Sequence, residues 1–125
     1  LSRGLLHVDL LSDEEYNVRA INKELDDITN SDIIHSNQNI NLHLFSNILD
    51  GDSFSVNQLS QSISSSYSGI NYFILISPNT MQSRNNRLNI FFDYFHEKYQ
   101  TELISKRDKN IGDYTRYEII YKVEI

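Results

Sequence analysis

After Gly69 the spacing of apolar residues changes to a period of two, and no other feature constrains the fold of this chain as tightly. Thr115, Tyr117, Ile119, Tyr121, Val123 and Ile125 alternate with Arg116, Glu118, Lys122 and Glu124. Successive side chains of a strand point to opposite faces, so this pattern predicts a strand with one buried side. Residues 70–76 (INYFILI) are almost wholly apolar, which predicts a strand covered on both faces. Leu88, Ile90, Phe92, Tyr94 and His96 share one parity, opposite Asn89, Asp93 and Glu97. That predicts a further strand, with Phe91 and Phe95 as exceptions that a helix covers. A polar loop from Pro78 to Asn86 precedes it, residues 101–105 continue it or pair back, and residues 108–113 form a loop around Gly112.

Upstream the signals are more varied. Residues 5–11 (LLHVDLL) alternate and predict a short strand. Ser12 followed by Glu15 is a capping box, and Asp13, Glu14 and Glu15 place negative charge at the positive end of a helix dipole. Val18, Ile21, Leu25 and Ile28 then recur at three- and four-residue steps, predicting an N-terminal helix that ends at residues 29–31. Ile40, Leu42 and Leu44 alternate with Asn41 and His43 as a half-buried strand, and Asp50-Gly51-Asp52 turns the chain. For residues 54–67 helix and strand both fit. The spacing of Val56, Leu59, Ile63 and Tyr67 favours a helix, while the serines count against it. The fold class expected is therefore α+β, dominated by an antiparallel sheet, as a meander or incomplete barrel.

Composition narrows the function by exclusion. A chain of 125 residues suits one domain, residues 1–125, with no internal linker. Zero cysteines remove disulfides, thiolate zinc sites and thiol nucleophiles together. A net charge of −6 without a basic face argues against nucleic-acid binding. No run approaches the ~20 apolar residues that span a bilayer. The first residue is Leu1 rather than Met, so a processed or excised protein, with an N-terminal membrane anchor removed, is expected.

No constellation for catalysis emerges. His7, His35, His43 and His96 form no i,i+4 pair, and the four glycines are isolated. Residues 108–113 begin like a calcium loop, but Asp113 stands where the turn glycine belongs and Ile119 where the bidentate Glu belongs. No metal, cofactor or catalytic residue is assigned. The conspicuous feature is aromatic: tyrosines and phenylalanines crowd the C-terminal half. Tyrosine buries its ring while its hydroxyl seeks a partner, so such residues make either a plain core or the wall of a cavity for an amphipathic ligand. The final strand, reaching Ile125, is also expected to leave an edge open to a partner's strand.

A capped helix followed by a Tyr-rich meander, in a cysteine-free chain rich in Asn, Ser, Ile and Tyr, resembles the periplasmic accessory proteins that pair with ToxR-like regulators, the VtrC and ToxS type. The resemblance spans residues 40–125 by pattern alone. It implies a lipocalin-like architecture, a periplasmic or otherwise extracytoplasmic location, a hetero-oligomeric protein partner and a bile-salt-like ligand. It further implies that Tyr72, Ile74, Phe92, Tyr94, His96, Tyr117 and Tyr121 line the pocket. A lipocalin-type barrel carries about eight strands, more than this chain supplies, so closure requires one from the partner. Two other expectations compete: an assembly component of a secretion, conjugation or pilus machine, and a cytoplasmic immunity or inhibitor protein.

Overall fold

The computed structural model describes residues 21–23, 27–29, 31–32, 40–46, 49, 54–78, 82–111 and 114–125, with backbone alone for 82–86, 109–111 and 114–115. Among the described residues the elements in order are β1 (Ile40–Ser46), α1 (Val56–Ser66), β2 (Ile70–Pro78), α2 (Gln82–Lys98), β3 (Gln100–Ile111) and β4 (Tyr114–Glu124). The sheet order is β1-β2-β4-β3. β1 runs parallel to β2, from Ile40↔Ile70 to Ser46↔Ile76, while β4 is antiparallel to both β2 and β3. The class is α+β with a mixed, mostly antiparallel sheet. That sheet is open and does not close into a barrel.

α1 forms despite its serines because their hydroxyls turn back onto the helix. Ser60, Ser64 and Ser65 donate to the carbonyls of Val56, Gln61 and Ser62, and the Ser55 hydroxyl accepts from the Gln58 N–H as N-cap. Val56, Ser60 and Ile63 face inward at helical spacing. The chain leaves α1 through Gly69, whose φ of 88° lies in the left-handed region that other residues resist. Gly69 and Ile125 exchange backbone hydrogen bonds of 3.0 and 2.9 Å, which lock the start of β2 against the end of β4.

The stretch 88–96, expected as a strand, lies within α2, and the expected loop at 82–86 is its first turns. The cause is visible in the residues that broke the two-residue pattern. Leu88, Phe91 and Phe95 stand at i, i+3 and i+7, on one helical face, and all three are fully buried. Phe91 and Phe95 meet one turn apart at 5.4 Å, as do Phe92 and His96. Tyr99 N–H and Thr101 Oγ1 both reach the Phe95 carbonyl and end the helix.

α1 and α2 pack on one face of the sheet. Phe73 is the hub of the core: its ring stacks on Tyr121 at 4.9 Å and touches Phe91 and Phe95 at 5.7 and 4.7 Å. Leu75, Ile119 and Val123 complete the sheet side, and Val56, Ile63 and Leu88 the helix side. Arg87 fastens the β1–α1 connection by donating to the Leu49 and Phe54 carbonyls while lying over the Phe54 ring.

Other expectations change. Residues 108–111 belong to β3, whose ladder runs to Ile111↔Tyr114. β4 is an interior strand between β2 and β3, so it offers no edge. The helix expected to reach residue 28 does not include residues 21–23 or 28–29, which are neither helix nor strand. Beside them Asp32 accepts from Lys23 Nζ at 2.8 and 3.0 Å and from the Thr29 N–H, and these bonds hold its carboxyl at about 2. The strand at 5–11, the capping box at 12–15 and the rest of that helix lie outside the described residues. Among the described residues no helix is long and apolar enough to cross a membrane.

Candidate functional site

The seven residues read as a pocket lining are spread over three environments. Tyr117 and Tyr121 are buried between sheet and α2, and the Tyr117 hydroxyl donates to Asn89 Oδ1 at 3.0 Å. Phe92 joins them from α2, its ring edge-on to Tyr121 at 5.0 Å, with the exposed His96 stacked on its outer side. Tyr94 lies on a different flank of α2, bonded to Ser64 and covered by Lys98 at 3.8 Å from its ring centre. It lines an open groove between α1 and α2 with Asn57, Gln61, Asp93 and Glu97. Tyr72 and Ile74 are half-buried on the opposite side of the sheet, because β2 turns Asn71, Phe73, Leu75 and Ser77 toward the helices. Phe92, His96, Tyr117 and Tyr121 are thus neighbours, while Tyr94, Tyr72 and Ile74 are separate from them.

The unusual surface lies on β1, whose faces are inverted. Asn41, only 7% exposed, and the half-buried His43 point toward the helices, whereas Ile40, Leu42 and Leu44 are 64, 67 and 62% exposed. Each inward polar group is satisfied. Asn41 Nδ2 donates to the Ser68 carbonyl at 3.3 Å, and Asn71 Nδ2 donates to the Gly69 carbonyl. That leaves Asn71 Oδ1 to accept from His43 Nε2 at 2.9 Å, which fixes the proton on Nε2. The imidazole stacks on Phe73 at 4.6 Å and takes Tyr67 edge-on at 4.7 Å. Burial pushes its pKa below 6.5, with the Asn71 bond partly opposing.

Outward, the strip Ile40, Leu42, Leu44 continues across the parallel register into Ile70, Tyr72, Ile74 and Ile76 of β2. The other half of that face is charged. Arg107 and Glu118 pair at 2.8 Å, and Lys122 approaches Glu102 at 3.9 Å, all between β3 and β4. The open face is therefore divided lengthwise into an apolar half at β1–β2 and an ion-paired half at β4–β3.

The two sheet edges differ in the same way. Along β3, Glu102, Lys106, Arg107 and Asp108 are exposed, and the register slips between Leu103 and Ser105. Charges and a bulge are the usual means of blocking an edge from further pairing. β1 has no charge, no proline and an unbroken register over its seven residues. Among the described residues it pairs only with β2.

Sequence reading missed this surface because an apolar–polar alternation gives a period and not a direction; the apolar side was expected to face inward. Polarity is what signals the inversion: Asn41, His43 and Asn71 can bond one another and nearby carbonyls. Among the described residues no group of three or more His, Asp or Glu is placed to hold a metal ion. Among the described residues, fold and surface define an α+β module with one sheet edge, β3, that carries charges and a bulge and one, β1, that carries neither. No protein-family model matches the chain, and no curated protein or solved structure matches it either.

Proposed function

We propose that this chain is a non-catalytic assembly module that docks a protein partner through β1 and the apolar half of its open sheet face. The observation that carries this reading is the inverted β1, which holds Ile40, Leu42 and Leu44 more than 60% exposed in one row. Contiguous apolar surface of this kind marks an interaction site, and an unblocked strand adds a row of backbone donors and acceptors to it. Specificity would come from the outward side chains of alternate residues, affinity from the shared ladder.

A pocket for a bile-salt-like molecule has less support, because the residues proposed to line it stand on both faces of the sheet. The two readings separate in one pair of measurements on the dilute chain. Assembly predicts fast amide exchange along residues 40–46 and no rise in melting temperature with bile salts or fatty acids. A saturable rise would return the protein to ligand sensing; a native-state ligand at 100 times its Kd adds about 2.7 kcal/mol. Protection of β1 as strong as that of β4 would remove the free edge.

A further inference from the structure

We infer that the groove between α1 and α2 takes an arginine side chain presented by another protein, at a second site that does not involve β1. Its walls consist of described residues alone, and it measures about 510 Å³. Helical spacing builds it. Asn57 and Gln61 stand one turn apart on α1, while Asp93 and Tyr94 stand one turn before Glu97 and Lys98 on α2. The Tyr94 hydroxyl lies 3.3 Å from Ser64 Oγ, which ties the ring to both helices. The groove is open along one side, which suits a side chain reaching in from a partner better than an enclosed small molecule.

Charge and shape select the occupant. Two carboxylates stand against one ammonium, and α1 has no charged residue, so the groove has a surplus of negative charge. Among the described residues the Asn57, Gln61, Asp93 and Glu97 side chains have no hydrogen bond or ion pair, which leaves their oxygens as acceptors for a ligand's donors. Lys98 does not pair with the carboxylates; its Nζ lies over the Tyr94 ring, 3.8 Å from the centre. The chain's own ammonium thus marks this ring face as one that accepts a cation. A guanidinium is planar, carries five donors and is less strongly hydrated than an ammonium. It can therefore displace Lys98 Nζ from the ring and fork onto a carboxylate at the same time. Ile90, 40% exposed in the same groove, offers apolar surface to the methylene stem. Two carboxylates beside an ammonium are too few for a calcium ion, which needs six to eight oxygen ligands.

The probe is the acetylated and amidated tripeptide Gly-Arg-Gly, with the same peptide carrying citrulline for arginine as the uncharged control. Backbone amide resonances of residues 57, 61, 93, 94 and 97 should shift saturably with the arginine peptide and not with the citrulline peptide. Lys98→Ala removes the resident cation and should tighten the apparent Kd about two- to fivefold, whereas Asp93→Asn/Glu97→Gln should weaken it about tenfold. All three substituted side chains are exposed, so the variants keep the fold, and opposite signs at neighbouring positions are not the mark of a structural role. Shifts that do not saturate, that the citrulline peptide reproduces or that the carboxylate variant leaves unchanged overturn the inference. Weaker binding by Lys98→Ala overturns it as well.

Discussion

Tyr121 occupies a costly position for a polar side chain. Its ring stacks on Phe73, its hydroxyl is buried with no hydrogen-bond partner among the described residues, and burial raises its pKa well above 10.0. A hydroxyl stranded in an apolar interior forfeits about 1–3 kcal/mol. Tyr121→Phe keeps the ring and removes that cost, so chemical denaturation should show the variant more stable by about 1 kcal/mol. A loss of similar size would mean that the hydroxyl has a partner. Tyr117 makes the useful contrast, since its bond to Asn89 gives Tyr117→Phe no such gain. From sequence the two tyrosines were equivalent, both inward on one alternating strand; what divides them is a neighbour on α2.

At the scale of elements, β1 turns one titratable side chain, His43, inward, and burial favours its neutral form. The His43 ring lies against Tyr67, Asn71 and Phe73, and it is neutral with its Nε2 proton on Asn71. Its pKa is below 6.5 when folded, so the unfolded chain takes up a proton that the packed ring refuses as the pH falls past 6.5. The stability from this contact is complete above that pH and declines below it until the packed ring itself titrates. Corrected for the base-catalysed intrinsic rate, the protection of amides 40–46 should fall between pH 6.5 and 5 more than that of β4, and His43→Gln should abolish the difference. An unchanged ratio would place the imidazole in water.

Elements also set the limit of what was legible. β1, β2 and β4 follow from spacing and β-formers, and the structure has them where those signals fall, whereas residues 54–67, where helix and strand both fitted, are helix because their serines bond back onto it. α2 was hidden because its even-numbered residues, Leu88 to His96, fit a strand while Leu88, Phe91 and Phe95 fit a helix. A period of two and a period of 3.6 share too many positions over nine residues to be separated by one list of apolar sites. The two phenylalanines set aside as exceptions were the deciding residues. Strand order was illegible for another reason: that β4 inserts between β2 and β3 depends on pairings between residues some fifty positions apart, such as Phe73 and Tyr121.

For the whole molecule, the claim on which the rest stands is that this sheet has a core on one face and a docking strip on the other. The strip was open to misreading because Ile40, Leu42 and Leu44 have the composition of a core row, and only their setting makes them surface. Their energetic role distinguishes the two cases directly. Equilibrium denaturation in dilute solution should compare the Leu42→Thr/Leu44→Thr double variant with Leu75→Thr, whose site on β2 is fully buried. Leu75→Thr should cost about 2–5 kcal/mol, as truncation of a buried leucine does. The double variant on β1 should stay within about 1 kcal/mol of the parent chain, twice the spread of an ordinary surface change. A loss of about 3 kcal/mol or more in the double variant would make β1's outward row part of this chain's own core, and the docking account would be wrong.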